Sequence, residues 1–405
     1  MKIVECVYWV GVNDHQTKLF ESLWSLPKGV SYNSYLITGN SKNVLIDTVK
    51  IGFFDTFLEN LKRYIDPKEL DYIVLNHVEP DHAGSLSKIL SVAPKASVVG
   101  SEKAIDFVKK YHPIEFNSIV VKDGETIDLG EKTLKFFDAT YIHWPETIFT
   151  YLVEDGILFS GDSFGSFGSI EEHIFDDRDD KSVFRDEAKR YFASIVSPYS
   201  PFVVKSIKKL ETLNVPIKAI APSHGLVYRN NPSEIISLYR NLSSCILEKK
   251  VVIVYGSMYG NTEAIANAVA KGVASRNVKP VIFNISYADI SEVLSEIWTA
   301  PTIAIGSPVY DSFIFPPITN LLEMIKLKRI KARKFGVFGS FTWGGTPLEQ
   351  MRKQIESLGS EIIGPTIKSQ GSPTQIILSE AETLGGMLAD VTMDKVNEAS
   401  LNKTS

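Results

Sequence analysis

The densest group of side chains that could do chemistry lies in the segment NHVEPDHAG, residues 76–84. It holds two of the chain's seven histidines together with two carboxylates, as His77, Glu79, Asp81 and His82. The segment follows DYIVLN, whose β-branched and aromatic residues predict a short strand. His77, Glu79 and Asp81 occupy alternate positions, so an extended backbone would direct all three to one side. Loops at strand ends are places where rigid elements position functional side chains.

These residue types in so small a space predict a metal site. Carboxylates held close together repel each other unless a cation neutralises them. Three further residues of ligand type follow later predicted strands and stand beside glycine, proline or small residues. They are His143 in YIHWPET, Asp162 in LFSGDSFG and His224 in IAPSHGL.

Any one of these histidines, taken singly, is equally explained as a hydrogen-bonded surface or core residue. The metal interpretation therefore depends on the whole set occurring together. The remaining histidines, His15, His112 and His173, follow no predicted strand, and we assign them to the surface. His173 lies in the acidic run EEHIFDDRDD, which is typical of a solvated loop.

A second candidate site begins at YGSMYGNTEAIA, residues 255–266, between a predicted buried strand and a helix. Short polar side chains around Gly260, with the free N–H groups of a helix N-terminus, suit a monoester phosphate. The loop lacks a Walker lysine and the GxGxxG pattern, which disfavours a nucleoside triphosphate or a dinucleotide. A plain strand-to-helix turn with capping residues is the structural alternative.

Two later strand ends extend this second site. GSPVYDS, residues 306–312, and GSFTWGG, residues 339–345, each offer backbone polar groups and an aromatic side chain after a buried strand. Doubly wound sheets bind ligands at the carboxyl ends of their strands, and an isoalloxazine ring needs flat apolar walls. The loop at 255–266 also resembles the phosphate loop of flavodoxin, and this resemblance, with three such strand ends in order, implies an FMN site. Its predicted residues are Ser257, Met258, Tyr259, Gly260, Asn261, Thr262, Ser307, Pro308, Val309, Tyr310, Ser340, Phe341, Thr342, Trp343, Gly344 and Gly345.

The elements that must position the two sites differ in kind. Residues 1–249 mix predicted strands and helices in a pattern that indicates a layered αββα sandwich. Residues 250–405 alternate short buried strands with helices, which predicts a doubly wound parallel sheet with helices on both faces. We therefore expect two domains of the α/β and α+β classes, with LEKK as their junction.

Composition excludes several classes of protein. A net charge of −5 disfavours a nucleic-acid binder, and no run approaches the ~18 apolar residues that a membrane span needs. The N-terminal segment lacks the long apolar region of a signal peptide. Cys6 and Cys245 form no CxxC pair and no disulfide framework, which fits a reducing cytoplasm, and we expect both to be small buried side chains.

The ordered set of seven ligand-type residues resembles the metallo-β-lactamase fold and, more narrowly, the flavodiiron proteins, also called A-type flavoproteins. The loop at 255–266 resembles the phosphate loop of flavodoxin, and HWPET and the order of the two halves extend the resemblance over nearly the whole chain. The wider superfamily has a histidine where this chain has Glu79. A carboxylate there makes the site harder and more anionic, which favours iron or manganese over zinc.

The resemblance implies a role for each residue of the set. His77, Glu79 and His143 would bind one iron, Asp81, His82 and His224 would bind the other, and Asp162 would bridge them. A bridging hydroxide would then make two ferrous ions and three carboxylates neutral overall, as burial favours. Tyr191, in KRYFAS, is a candidate hydrogen-bond donor to the bound gas, with a structural role as the alternative.

The resemblance also implies an activity and partners. The enzyme would reduce O2 to water or NO to N2O, with electrons relayed through FMN from rubredoxin or a reduced deazaflavin. It would be a homodimer or a dimer of dimers, with the FMN of one subunit facing the irons of another. No CxxC pair follows the flavin domain in this sequence, so we expect a separate donor.

Two other functions remain open. One is a zinc-dependent hydrolase with an appended flavodoxin module, in which a zinc-bound water is the nucleophile. Glu79 argues against it. The other is an electron carrier with an inert first domain, against which the clustered charge of seven ligand-type residues argues.

Overall fold

The computed structural model describes residues 1–171, 173–177 and 181–401 and divides the chain into two compact units. The first unit is Met1–Ser244 and the second is Cys245–Ser405. The expected boundary at residue 249 lies shortly after this division, and the first strand of the second unit begins at Lys250.

The first unit contains short strands and seven α-helices among the described residues. The strands are β1 (Lys2–Val4), β2 (Val7–Trp9), β3 (Val12–Asp14), β4 (Leu19–Phe20), β5 (Trp24–Ser25), β6 (Val30–Tyr32), β7 (Tyr35–Thr38), β8 (Asn43–Ile46), β9 (Leu70–Val74), β10 (Ser97–Gly100), β11 (Ser118–Val120), β12 (Thr126–Asp128), β13 (Thr133–Asp138), β14 (Ile148–Leu152), β15 (Ile157–Phe159) and β16 (Ala219–Ala221). The helices are α1 (Phe54–Lys62), α2 (Pro80–Ala83), α3 (Leu86–Val92), α4 (Glu102–Tyr111), α5 (Lys181–Tyr191), α6 (Ser200–Thr212) and α7 (Pro232–Ser243).

Two sheets form the core of this unit. One has the order β1-β2-β7-β8-β9-β10-β11 and is parallel from β8 onward; the other has the order β12-β13-β14-β15-β16 and is antiparallel except at β15–β16. The rings of Tyr35 and Phe159, one from each sheet, pack with centroids 5.2 Å apart. Helices such as α1 bury an apolar stripe that includes Phe57 and Leu61. The layered sandwich expected from the sequence is confirmed.

Asn76 joins the two sheets at the edge where the metal-type residues lie. It follows β9, its side-chain oxygen accepts the Thr150 hydroxyl at 2.6 Å, and its amide donates to the Phe159 carbonyl at 3.3 Å. Its own carbonyl accepts the N–H of Ile148 at 3.0 Å. Buried polar groups of this kind are costly unless paired, so the residue fixes the β9 end against β14 and β15.

The second unit is a parallel sheet with helices between its strands. The strands are β17 (Lys250–Tyr255), β18 (Lys279–Asn284), β19 (Thr302–Tyr310), β20 (Phe313–Ile314), β21 (Lys334–Phe341), β22 (Glu361–Ile362) and β23 (Ile367–Gln370), and the helices are α8 (Asn261–Ala274), α9 (Ile290–Thr299), α10 (Pro316–Leu327), α11 (Thr346–Ser357) and α12 (Gln375–Leu401).

The strand order of this sheet is β18-β17-β19-β21-β22, with β23 also pairing with β21. All of these pairs are parallel, and only the short β20 runs antiparallel beside β19. The strand order reverses direction at β17, which places the ends of β17 and β19 beside the switch point of a doubly wound sheet. The predicted fold of the second half is confirmed.

Two expectations about composition have different outcomes. In the described part of the chain, none of the helices combines the length and the apolar character needed to cross a membrane. Cys6 and Cys245 are free, but Cys6 is half-buried and Cys245 is exposed, so the expectation of two buried side chains was wrong. Both have a positive φ (65° and 51°), which places them in turns rather than in the regular elements that fill the core.

Candidate functional site

The metal-type residues all lie at the ends of strands of the first unit or in the loops that follow. His77 and Glu79 follow β9, and His143 lies between β13 and β14. Asp162 follows β15, and His224 follows β16. Strand ends at one edge of packed sheets meet in space, which is how residues far apart in sequence become neighbours.

A proline divides the NHVEPDHAG segment into two parts. Glu79 has φ −56° and ψ 141°, and Pro80 then begins the single-turn helix α2 at its first position, where its missing N–H is no loss. A Cβ at Gly84 would lie 2.2 Å from the Pro80 carbonyl oxygen, so the turn closes only on glycine. The expected extended backbone through Asp81 was therefore wrong, because Asp81 and His82 turn away on a helix.

The consequence is two groups of ligand-type atoms, each within 4.8 Å of one another. The first group is His77, Glu79, His143 and Asp162, and the second is Asp81, His82 and His224. In the first group, one oxygen of Glu79 lies 3.1 Å from Nε2 of His77 and 3.0 Å from Nε2 of His143. In the second, one oxygen of Asp81 lies 3.3 Å from Nε2 of His82 and 3.3 Å from Nε2 of His224.

Asp162 has one carboxylate oxygen facing each group. Oδ2 lies 3.2 Å from Nε2 of His143 and 3.6 Å from Nε2 of His77. Oδ1 lies 3.0 Å from Nε2 of His82 and 3.5 Å from Nε2 of His224. A carboxylate in this position can bridge two cations.

Several of these atoms lack hydrogen bonds, which tests whether the residues fit metal ions. Among the described residues, both carboxylate oxygens of Asp81, Nε2 of His224 and Oδ1 of Asp162 are buried without a hydrogen-bond partner. Buried polar atoms are normally paired, so unpaired atoms of this kind are available to bind a metal ion. Neutral imidazole and carboxylate are both ligands of iron and zinc, so the donor set fits a pair of metal ions.

The histidines and carboxylates of the cluster shift each other's pKa values. Burial opposes a charge on His77, yet its contacts with Glu146 and Glu79 raise its pKa to about 10. Burial likewise opposes a charge on His143, but Asp162 and Glu79 raise its pKa to about 10. Burial raises the pKa of Asp162, but the facing histidines, His82 first, hold that pKa well below its ordinary value. Metal ions bound to the same atoms would displace these protons.

Two histidines are fixed by contacts on the far side of their rings. Nδ1 of His77 lies 2.7 Å from an oxygen of Glu146, and Nδ1 of His224 lies 2.7 Å from the carbonyl oxygen of Ser31. Both contacts require the proton on Nδ1, which turns Nε2 with its lone pair toward the cluster. The sequence reasoning missed Glu146, although a carboxylate three residues after His143 within HWPET was the available signal.

Tyr191 lies beside the second group. Its ring is fully buried at the end of α5, and the centroid of the ring lies 5.6 Å from that of His224. Its hydroxyl makes no hydrogen bond within the described residues. Burial, followed by the charge of Asp162, raises the pKa of Tyr191 well above its ordinary value, so the group keeps its proton.

A cavity of about 360 Å³ reaches the cluster from the surface. Glu79 and Asp81 form part of its wall, which makes the cluster accessible to a small molecule. The other lining residues are Thr17, Leu19, Phe20, Glu21, Ser22, Tyr32, Lys50, Ile51, Pro80 and Gly84.

The three histidines expected at the surface divide into two outcomes. His15 and His173 are solvent-exposed and face Glu171 and Asp177. Residues 172 and 178–180 of the acidic run around His173 lie outside the described residues. His112 is buried, with Nδ1 2.8 Å from the Ser87 hydroxyl, so its surface assignment was wrong. It ends α4 and turns inward at the cap, which its surroundings in the sequence do not reveal.

The second candidate site is a cavity of about 300 Å³ in the second unit. The carboxyl ends of β17, β19 and β21 and the loops that follow them line it. The expectation that residues 306–312 and 339–345 begin after the strands was wrong, because β19 continues to Tyr310 and β21 to Phe341. Eleven of the sixteen predicted FMN residues line the cavity, together with Asp311, which was not predicted. The lining residues are Ser257, Met258, Tyr259, Asn261, Pro308, Val309, Tyr310, Asp311, Ser340, Phe341, Thr342 and Trp343.

The remaining predicted residues shape the loops. Gly260 has φ 88° and is the N-cap of α8, so its N–H, which donates to the Ser257 hydroxyl at 3.1 Å, belongs to a helix N-terminus. The hydroxyls of Thr262 and Ser340 lie 2.8 Å apart and join the first loop to the third. Ser307 accepts the N–H of Phe315 at 3.1 Å, and Gly344 and Gly345 complete the turn before α11.

This cavity fits a flavin mononucleotide. Backbone N–H groups and hydroxyls at a helix start suit its phosphate, and no atom lies within 4 Å of the place where a Cβ on Gly260 would stand. Tyr259 and Trp343 are 89% and 65% exposed, so two large aromatic faces stand open beside the cavity. Aromatic walls of this kind suit an isoalloxazine ring.

Comparison with protein families divides the chain in the same way. Residues 30–225 match the family described as ODP family beta lactamase, and residues 253–385 match Flavodoxin. The anaerobic nitric oxide reductase flavorubredoxin of Escherichia coli O1:K1 is 34% identical over 388 residues, which cover 95% of this chain and 80% of that protein.

Solved structures resemble the whole chain. The rubredoxin oxygen:oxidoreductase of Desulfovibrio gigas superposes with a TM-score of 0.93 at 28% identity, over 98% of this chain and 99% of that one. The flavodiiron protein of Giardia intestinalis superposes with a TM-score of 0.92 at 28% identity, over 98% and 97% of the two chains.

Proposed function

Since the chain belongs to the flavodiiron proteins, a family of oxidoreductases, we propose that it reduces nitric oxide to N2O at a pair of irons, with electrons delivered through FMN. The observation that carries the proposal is the meeting of two groups of ligand-type residues at Asp162. Two irons, when bound there, supply the electrons and the Lewis acidity for joining two NO molecules.

We assign each ligand to one iron. His77, Glu79 and His143 hold the first, and Asp81, His82 and His224 hold the second, with Asp162 between them. The contacts of Glu79 and Asp81, each placed within 3.3 Å of two histidines, support this division. The buried orphan atoms of the second group support His82 as a ligand, because both of its ring nitrogens lack a hydrogen bond in the described residues.

Glu79 supports iron over zinc. It replaces the histidine of the hydrolytic relatives with a hard anionic ligand, so the site carries three carboxylates. A zinc hydrolase would also have no use for a flavin cavity in the second unit. We therefore set the hydrolase aside as the lesser candidate.

Tyr191 contributes a hydrogen-bond donor beside the second metal position. Its hydroxyl is buried, keeps its proton and has no partner among the described residues, so it is free to donate to a bound gas molecule. The aromatic rings of Phe20 and Phe167 pack against it with centroids 6.3 and 5.1 Å away, and they hold it in that place.

In the second unit, Gly260 and its neighbours bind the FMN phosphate, while the loops after β19 and β21 bind the ring. FMN, when bound, accepts electrons from a donor and passes them on singly. The names of the relatives support rubredoxin as the donor, and a reduced deazaflavin is the other candidate. We propose a homodimer or a dimer of dimers, in which FMN of one copy serves the irons of another. The cysteine usage supports the cytoplasm as its location.

Reduction of O2 to water is the second candidate activity. It is favoured by the likeness to the Desulfovibrio gigas structure, whose name includes oxygen as its substrate. The same two irons and the same donor would serve either gas.

Metal and flavin analysis, followed by anaerobic assays, tests the proposal. We expect two irons and one FMN per chain, and NO consumption with N2O production when reduced rubredoxin is supplied. O2 consumption without NO consumption would replace the first activity with the second. Zinc in place of iron, with neither gas consumed, would overturn the proposal.

A further inference from the structure

Glu146 stands directly behind a ligand-type histidine. Its side chain is 1% exposed, and its Oε1 accepts from Nδ1 of His77 at 2.7 Å and from the N–H of Val78 at 3.1 Å. The hydroxyl of Ser101 donates to the Glu146 carbonyl at 2.8 Å, which holds the residue in its loop. One oxygen of Glu146 therefore holds both the His77 ring and the backbone of the next residue, which fixes the direction of the ring.

The second carboxylate oxygen of Glu146 is Oε2. Oε2 is buried and makes no hydrogen bond with any described residue. No cation in the described part of the chain pairs with Glu146 apart from the His77 ring. A buried carboxylate that is not neutralised by a cation interacts strongly with the nearest polar group, here the His77 ring, because the protein interior screens its charge weakly.

In the described residues, the group of Asp81, His82 and His224 has no carboxylate in the position that Glu146 takes behind His77. Nδ1 of His224 donates to a neutral backbone carbonyl, that of Ser31, and Nδ1 of His82 makes no hydrogen bond among the described residues. A carboxylate behind a ligating histidine makes the imidazole a stronger donor than a carbonyl does. The two groups are otherwise matched, with one carboxylate of their own and a shared Asp162.

We propose that Glu146 is a positioning residue that makes the two metal positions electrically unequal. Through His77, it stabilises the higher oxidation state of the ion held by His77, Glu79 and His143. That ion therefore has a lower reduction potential than the ion held by Asp81, His82 and His224. With both ions bound, the first electron to arrive would be favoured at the position held by Asp81, His82 and His224. This inference rests on the proposed diiron function.

The substitution Glu146→Gln separates charge from geometry. A glutamine Oε1 can accept from both Nδ1 of His77 and the N–H of Val78, so the hydrogen bonds are kept and only the charge is removed. Glu146→Ala removes both. Glu131→Gln is the matched control. Glu131 is an exposed residue of the same unit, and this substitution changes the net charge of the protein by the same amount as Glu146→Gln.

Three measurements are made on iron-loaded protein: iron per chain after anaerobic dialysis, iron(II) affinity, and the two iron midpoint potentials in a potentiometric titration followed by Mössbauer spectroscopy. We expect Glu146→Gln to keep two irons and to raise the lower potential while leaving the higher one in place. We expect Glu146→Ala to weaken iron(II) binding at one position by about 10–100-fold. Glu131→Gln should leave the iron content, the iron(II) affinity and both potentials unchanged.

Two results would overturn the inference while leaving the diiron function intact. One is a Glu146→Gln protein whose two potentials equal those of the unmodified protein. The other is a shift in the higher potential alone. Failure of the unmodified protein to bind two irons would instead overturn the proposed function, so the two failures are distinct.

Discussion

Oδ1 of Asp162 lies 3.0 Å from Nε2 of His82, in the second group of ligand-type residues. Its other oxygen, Oδ2, lies 3.2 Å from Nε2 of His143, in the first group. One carboxylate thus contacts histidines from three other loops. Its exposure is 1%, and its pKa is held far below the ordinary value by the facing histidines despite the opposing effect of burial. Substitution of this residue is the most direct test of the bridge.

Asp162→Asn keeps the side-chain shape and removes the charge. We expect it to lose at least one of the two irons per chain, because an amide is a poor bridging ligand, while FMN remains bound at one per chain. Iron and flavin content on the same purified sample measures both. Full retention of iron and gas turnover would show that Asp162 does not bridge.

Glu79→His replaces a carboxylate of the first group with an imidazole. We expect the preference of the first position to move from iron(II) toward zinc(II), because the site loses one negative charge and gains a borderline ligand. Competition dialysis against equal iron(II) and zinc(II), followed by elemental analysis, measures the change. Glu131→Gln controls for the net charge, and an unchanged metal ratio in Glu79→His would refute the argument made from Glu79.

Tyr191→Phe deletes a hydroxyl that makes no hydrogen bond in the described residues. We expect the free energy of unfolding to stay the same or rise slightly, while turnover of the gas falls by at least 10-fold if the hydroxyl donates to it. Urea unfolding and anaerobic turnover measure the two effects.

Tyr239→Phe is the control for Tyr191. Tyr239 is equally buried, but its hydroxyl donates to the Gly165 carbonyl at 2.7 Å. We expect it to lose about 1 kcal/mol of stability and to keep its turnover. If Tyr191→Phe loses stability and keeps turnover, Tyr191 is structural and its assignment as a hydrogen-bond donor to the gas is wrong.

Gly260→Ala tests the phosphate loop. Its φ of 88° disfavours any residue with a Cβ by about 1–2 kcal/mol, and we expect the loop to relax and FMN affinity to fall by at least 10-fold. Gly359→Ala is the control, since Gly359 also has a positive φ (73°) and open space around it, but lies after α11 and outside the cavity. Flavin fluorescence titration measures binding; equal losses in both variants would exclude a specific role for Gly260.

Regular elements can be predicted from the sequence because their buried residues follow a pattern, and the strands that carry the candidate sites are an example. The buried run before Asn76 predicts both a strand and the loop that follows it, whereas the runs before Gly306 and Gly339 predict the strands but not their full length. Parallel strands then bring those loops to one edge, so residues far apart in sequence can be grouped without coordinates.

Other features depend on the direction of a single side chain and have no period. The turn at Pro80 sends Asp81 and His82 to the second group, whereas alternation predicted one face. His112 turns inward at a helix end. The role of Glu146 depends on its contact with His77, which is distant in sequence. Contacts of this kind are set by tertiary packing, which a local pattern does not contain.

Each candidate site draws its described residues from one compact unit alone, the metal-type residues from Met1–Ser244 and the FMN-type residues from Cys245–Ser405. We therefore expect iron-depleted protein to keep the residues that would bind FMN, and flavin-depleted protein to keep those that would bind metal.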